Sequence, residues 1–228
     1  MTCGQDCVSF DEKSSAMSEN KSVIKRAETA DQKIAKGEFI LTAAHDMIVR
    51  DGIQGLSMNK LCAACDVGKG TLYLYFKTRT EILAALFVQK LGTWANRLDA
   101  ALSANMDFDQ FCMAYLECIK SDPVLIDLLG IAARHFGTEL PNDTYHETLA
   151  HLKHTLENQA DQFSNALALD AATASGLVWA FYTAALGASA YHTQNDVSID
   201  LPAQLGQFHA ALQFDRLFVN AVALYRRG

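Results

Sequence analysis

Apolar side chains along this chain return every three or four residues over long stretches, and the two-residue alternation of a half-buried strand is not seen. The pattern predicts an all-α protein. Between residues 57 and 83 the periodic runs are short. Ser57 is placed to cap a helix over 58–64, in which Leu61 with Ala64 or Cys65 turns inward, and Val67 plugs the corner after Asp66. A second short helix follows over 69–76, with Leu72 and Phe76 four apart on its inner side. Its outer side carries Lys69, Gly70, Thr71, Leu74 and Tyr75, with Tyr73 at the border. An earlier helix spans 37–50 and stops before Gly52. Thr80 is placed to cap a long helix from 81 to about 103, whose stripe is Ile82, Leu86, Leu91, Trp94, Leu98 and Leu102. Further helices are predicted over 108–120, 123–135, 143–167, 171–192 and 203–227, with Pro123, Pro141 and Pro202 at or just before helix starts, where a missing amide proton does least harm. Residues 1–32 are polar and cannot bury enough surface to offset ordering, so a flexible tail is expected there, then a head over 33–80 and a helical body over 81–228.

Two short helices joined by a tight turn have the geometry that seats the second helix in the major groove of DNA. The candidate DNA contacts are Ser57, Asn59 and Lys60 on the first helix, and Lys69, Gly70, Thr71, Tyr73, Leu74 and Tyr75 on the second. Lys77 and Arg79 follow, where cations fix register on phosphate without reading bases. In the bland alternative the second helix merely packs in a bundle, which would leave Lys69, Thr71, Lys77 and Arg79 idle and bury little apolar area.

A net charge of −7 over 228 residues argues against a DNA binder until its distribution is read. Residues 33–90 carry eight cations against five carboxylates, net +3, whereas 91–228 carry −8 and 1–32 carry −2. The proposed head is therefore basic, as phosphate contact requires, and binding should be salt-sensitive.

The helix over 37–50 with Gly52, then Ser57, Leu61, Val67, and Lys69-Gly70-Thr71-Leu72-Tyr73-x-Tyr75-Phe76-Lys77-x-Arg79-x-Glu81-Ile82-Leu83, resemble the tetracycline-repressor (TetR) family of transcriptional regulators over roughly residues 33–90. Three positions depart from the family pattern. Asp66 stands where the turn usually has Gly, Gly68 where Ser or Thr caps the recognition helix, and Cys62 and Cys65 where small apolar residues are usual. Asp tolerates the left-handed conformation and Gly is itself an acceptable N-cap, so the turn is expected to survive. The resemblance implies a homodimer on double-stranded DNA, and a small-molecule effector pocket in the body whose occupation changes the spacing of the two heads. No cofactor is implied.

The helix over 171–192 carries Gly176, Ala180, Ala184, Gly187 and Ala188 at spacings of three and four, a strip another helix could approach closely, with Trp179, Tyr182 and Leu186 opposite. Together with Leu205, Phe208, Leu212 and Val219 on the last helix this is more apolar surface than an outer pair needs, so a two-fold dimer interface is expected there. Such a dimer sets its recognition helices roughly 34 Å apart and predicts a palindromic operator. Candidates for the effector pocket are Phe111, Tyr115, Leu125, Leu129, Phe163, Trp179 and Tyr182 as apolar lining, with Arg134 and His135 as polar anchors.

Other constellations read more plainly. Cys62-x-x-Cys65 has the spacing of a zinc or redox half-site but lacks a second pair, and both positions fall where the fold wants small apolar groups. Cys3 and Cys7 lie in the tail, and reduced thiols are expected throughout. His146, Glu147, His151 and His154 spread widely around one helix, so solvated surface is expected rather than a metal site. No nucleophile elbow or phosphate loop is present, which argues against an enzyme. The rival class is an all-helical metal- or thiol-dependent sensor or enzyme in which the helix-turn-helix is incidental. No apolar signal region follows Met1, and the apolar stretch 176–191 is short and interrupted, so no membrane partner and a cytoplasmic location are expected.

Overall fold

The computed structural model describes residues 30–192 and 210–227. The chain divides into two units, residues 1–39 and residues 40–228. Among the described residues every regular element is helical. Helix α1 covers Ala30–Asp51 and so begins inside the segment expected to be a tail. Residues 1–29, including Cys3 and Cys7, lie outside the described residues.

In the second unit, Gly52 takes a positive φ of 72° and leads into a short 3-10 turn, Ile53–Gly55. Helices α2 (Met58–Ala64) and α3 (Lys69–Tyr75) follow. Ser57 caps α2 as its residue type predicts, its hydroxyl accepting from the Lys60 amide. Helix α4 spans Arg79–Ala101. Its cap is Thr78, whose hydroxyl accepts from the Glu81 amide at 3.1 Å, and not Thr80, which is buried within the first turn. Both threonines are acceptable caps, and the tertiary contact of Thr80 described below decides between them.

Helix α5 is Phe108–Lys120 and α6 is Pro123–Ile131, the latter running on through a π-helical turn, Ala132–Phe136, to a last turn at Gly137–Glu139. Helices α7 (Asn142–Leu167) and α8 (Ala171–Ser189) complete the described run before residue 193. The last predicted helix is broken: α9 is Phe214–Val222, capped at Gln213 and followed by a 3-10 turn over Ala223–Arg227. Leu205 and Phe208 lie outside the described residues.

Helices α4 and α7 run in the same direction, with Thr80 level with Glu139 at one end and Gln162 Nε2 donating to Asp99 Oδ1 at 3.0 Å near the other. The core of the body is an aromatic cluster in which Phe111 meets Phe163 edge-on at 4.6 Å, and Tyr115 meets Phe181 at 4.9 Å and stacks on Phe218 at 5.2 Å. Four helices are tied together by those rings. Lys90 and Asp122 form an ion pair at 2.9 Å, both largely buried, which joins α4 to the start of α6. By length and composition α8 is apolar enough to cross a membrane. Its Leu177, Val178, Phe181, Ala185 and Ala188 are spent instead on the chain's own core.

Candidate nucleic-acid interface and effector region

The turn between α2 and α3 is built by one residue in an unusual conformation. Asp66 has φ 50°, the left-handed region that Asp tolerates, and it reverses the chain in the place of a glycine. Val67 packs on the core beyond it, its amide donating to the Cys62 carbonyl at 3.0 Å. Gly68 precedes α3 in an extended conformation, and the Thr71 and Leu72 amides both find its carbonyl. Cys62 and Cys65 are buried under this corner, and burial pushes the Cys65 thiol above its ordinary pKa, the behaviour of a core cysteine and not of a reactive thiolate.

Leu72 is 0% exposed and holds α3 to the head, whereas Tyr73 is 46% and Leu74 76% exposed. Leu74 and Tyr73 thus make a small exposed apolar patch on this seven-residue helix. Lys69 and Gly70 are also exposed, and a Cβ built at Gly70 would meet nothing within 4 Å, so a partner backbone can approach there. Thr71 is half-buried at the edge of the same face. Tyr75, too, is half-buried, packed against the core rather than fully wet. Asn59 and Lys60 are exposed on α2, the Lys60 ammonium donating to the Gly55 carbonyl. Ser57 is half-buried and occupied as a cap.

The two cations after the helix part company. Lys77 is exposed, with its backbone amide held by Glu81 Oε2 at 2.7 Å. Arg79, expected on phosphate, is instead turned inward: Nη2 donates to the Ile53 carbonyl at 2.6 Å, and Nε is buried without a partner among the described residues. The 3-10 turn after α1 leaves carbonyls that α4's first residue is close enough to satisfy, which sequence spacing alone cannot show.

At the next residue, Thr80 Oγ1 donates to Glu139 Oε2 at 2.6 Å, and Glu139 Oε1 pairs with His135 Nδ1 at 2.8 Å. The Thr80 hydrogen bond, with that from His135, holds the Glu139 carboxyl below its ordinary pKa. The start of α4, directly after the recognition helix, is thereby bonded to the π-distorted end of α6. π turns inside helices are frequent at functional sites.

Among the described residues the nine effector candidates fall at separate places. Phe111 and Phe163 are locked in the aromatic cluster. Tyr115, Leu125, Leu129 and Tyr182 come together around an internal void of about 10 Å³. Burial raises the pKa of both phenols, far more for Tyr115. Arg134 is exposed and His135 faces Glu139, so neither anchors that void. Trp179 is 55% exposed and lines a separate open groove of about 640 Å³ between α7 and α8, with Leu149, Leu152, Leu156 and Val178. The periodicity placed Trp94 in the α4 stripe and was silent on Gln159. Both are buried with a polar hydrogen that has no partner among the described residues. The available signal was a glutamine on the same face of α7 as Leu156 and Phe163.

On α8, Gly176 and Gly187 are exposed and a Cβ built at either would meet nothing within 4 Å, so nothing within the described chain requires glycine there. Ala180, Ala184 and Leu212 are half-buried and Val219 is exposed. Ala188 is buried in the chain's own core and cannot face a partner, and Trp179 shares the exposed side with the glycines instead of opposing them. His146, Glu147, His151 and His154 are exposed along α7, and among the described residues no group of three His, Cys, Asp or Glu side chains is gathered for a metal.

Residues 40–86 match the family described as bacterial regulatory proteins, tetR family. The fatty acid metabolism regulator protein of Bacillus subtilis is 35% identical over 68 residues, 30% of this chain and 35% of that protein. The chain thus spans about a third of the length of that relative. Two solved structures share the fold: a TetR-family transcriptional regulator from Pectobacterium atrosepticum, with TM-score 0.51 and 24% identity over 81% of this chain and 93% of that one, and a regulator of the TetR/AcrR family from Thermobifida fusca, with TM-score 0.50 and 15% identity over 78% and 96%.

Proposed function

We propose that this chain, whose residues 40–86 match the tetR family of bacterial regulatory proteins, is a ligand-responsive DNA-binding regulator of that family, a repressor that leaves a palindromic operator when a small molecule occupies its body. The observation that carries the proposal is α3: a seven-residue helix pinned by one buried leucine, with Leu74, Tyr73, Lys69 and an open Gly70 turned to solvent. That face has no use inside the chain, and its size and charge suit a major groove. Residues 33–80 act as the head and 81–228 as the body that senses ligand and dimerises. The exposed Gly176 and Gly187, with Val219, support a two-fold interface on α8 and α9.

The head is steered through α4. The Thr80 to Glu139 hydrogen bond and the Lys90 to Asp122 ion pair fix α4 to the two ends of α6, so a ligand that prefers another α6 position re-sets the angle of the head. The shift can be no larger than the ligand's differential affinity for the two states. The proposed role is that of a regulator acting on DNA in the cytoplasm, without a catalytic step of its own. The test is a mobility-shift assay against DNA flanking the coding region at several salt concentrations. A retarded complex that weakens steeply with salt is expected, and absence of any salt-dependent duplex binding sinks the proposal.

A further inference from the structure

Helices α4 to α8 all send side chains to one small void, among them Leu91 and Trp94 from α4, Tyr115 from α5, Leu129 from α6, Leu156 from α7 and Tyr182 from α8. At about 10 Å³ it has room for roughly one water molecule. Its walls are apolar, yet Trp94, 4% exposed, has an Nε1–H without a partner among the described residues, and an indole nitrogen can only donate. On α7, Gln159 follows the void-lining Leu156 by three residues, on the same buried face. Gln159 is 1% exposed and its Nε2 is likewise unpartnered. Two buried donors on adjoining helices without acceptors are expensive unless something else supplies one.

The void adjoins the groove between α7 and α8. Leu156 lines both the void and the groove of about 640 Å³ between α7 and α8. Across that wall Trp179 of the groove meets Tyr182 of the void edge-on at 6.0 Å. His146, Lys153 and Glu157 line the groove, but no Lys, Arg or His lines the void, so a carboxylate carried into the void would lose its hydration without a counter-charge.

We propose that groove and void are the outer and inner parts of one site for an uncharged apolar molecule bearing a hydrogen-bond acceptor, such as a ketone, ester or amide carbonyl. The molecule enters from the groove by displacing Leu156, and its acceptor takes the Trp94 Nε1 and Gln159 Nε2 hydrogens. This deepens the effector role proposed above and rests on it only for the link to DNA; binding itself is measured separately.

The chain has two tryptophans, so Trp179→Phe leaves Trp94 as the single indole. In that variant 2-decanone is expected to shift Trp94 emission and raise Tm at concentrations where decane, and decanoate at neutral pH, do neither. Gln159→Leu removes a partnerless buried amide, so the Tm of the free protein should rise while 2-decanone binding weakens about five- to tenfold, the worth of one hydrogen bond. Trp94→Phe keeps the packing ring without the donor and should weaken 2-decanone binding similarly by calorimetry. Equal binding of decane and 2-decanone overturns the proposal, as does tighter binding of decanoate, or unchanged 2-decanone affinity in both variants. Binding of 2-decanone with those losses, but no change in DNA affinity, upholds the site and removes the effector role instead.

Discussion

Arg79→Met separates two roles that the sequence confounds. The guanidinium donates to the Ile53 carbonyl at 2.6 Å, a hydrogen bond from a charged group, which is worth about 1.5–3 kcal/mol when buried. Arg79 is only half-buried and its Nε is already without a partner, so the lower end applies, and relief of that orphan offsets part of it. Methionine keeps most of the aliphatic stem and its packing. The expected loss is about 1 kcal/mol, or roughly 2–4 °C in Tm for a chain of this size. Because the group is turned inward, the dependence of DNA affinity on salt should keep its slope. Lys69→Met is the control: an exposed cation that meets phosphate contributes about 0.9 to that slope in each head, with no change in Tm. Calorimetry and a salt titration of operator binding decide the matter. If Arg79→Met flattened the slope as Lys69→Met does while Tm stayed in place, the inward bond would be irrelevant on DNA and the phosphate role restored.

The remaining predictions use the same head and body. Leu72→Ala should cost about 2–4 kcal/mol by chemical denaturation because it empties a fully buried site, whereas Leu74→Ala should leave stability unchanged and weaken DNA binding; equal effects on stability would mean α3 is not turned outward. Asp66→Gly should stabilise the protein by about 1 kcal/mol or less, since glycine adopts φ 50° without the penalty of a side chain, and a measured loss would point to an unseen role for the carboxylate. A Cβ at Gly187 meets nothing within 4 Å among the described residues, so Gly187→Leu should fold normally yet sediment as a monomer; a stable dimer would move the interface elsewhere. The Glu139 carboxyl, held low mainly by Thr80, contributes stability above the unfolded carboxylate pKa that is lost as pH falls through the lower folded value. Carboxyl NMR should show it titrating below a normal glutamate, and nearer to normal in Thr80→Val; an unchanged titration would deny the Thr80 bond.

Much of the helical architecture and the whole of the recognition turn were legible in the residue pattern, because both depend on neighbours close in sequence. A helix needs apolar groups every three or four positions and a cap such as Ser57, and a turn needs a residue like Asp66 that accepts a positive φ. Leu72 in and Leu74 out follow from 100° per residue on a short helix. What the pattern could not supply was which partner, distant in sequence, each group meets. Arg79 and Lys77 look alike as cations beyond a helix, and only the carbonyl of Ile53, 26 residues earlier, separates them. Thr78 and Thr80 are equal as caps until Glu139, 59 residues on, claims the second. Phe111, Phe163 and Tyr115 are all inward aromatics, and packing density decided that the first two close a core while the third borders a void. Local periodicity settles which side of a helix is dry; the packing of α4 against α6 and α7 settles which dry groups, Trp94 and Gln159 among them, still need a partner.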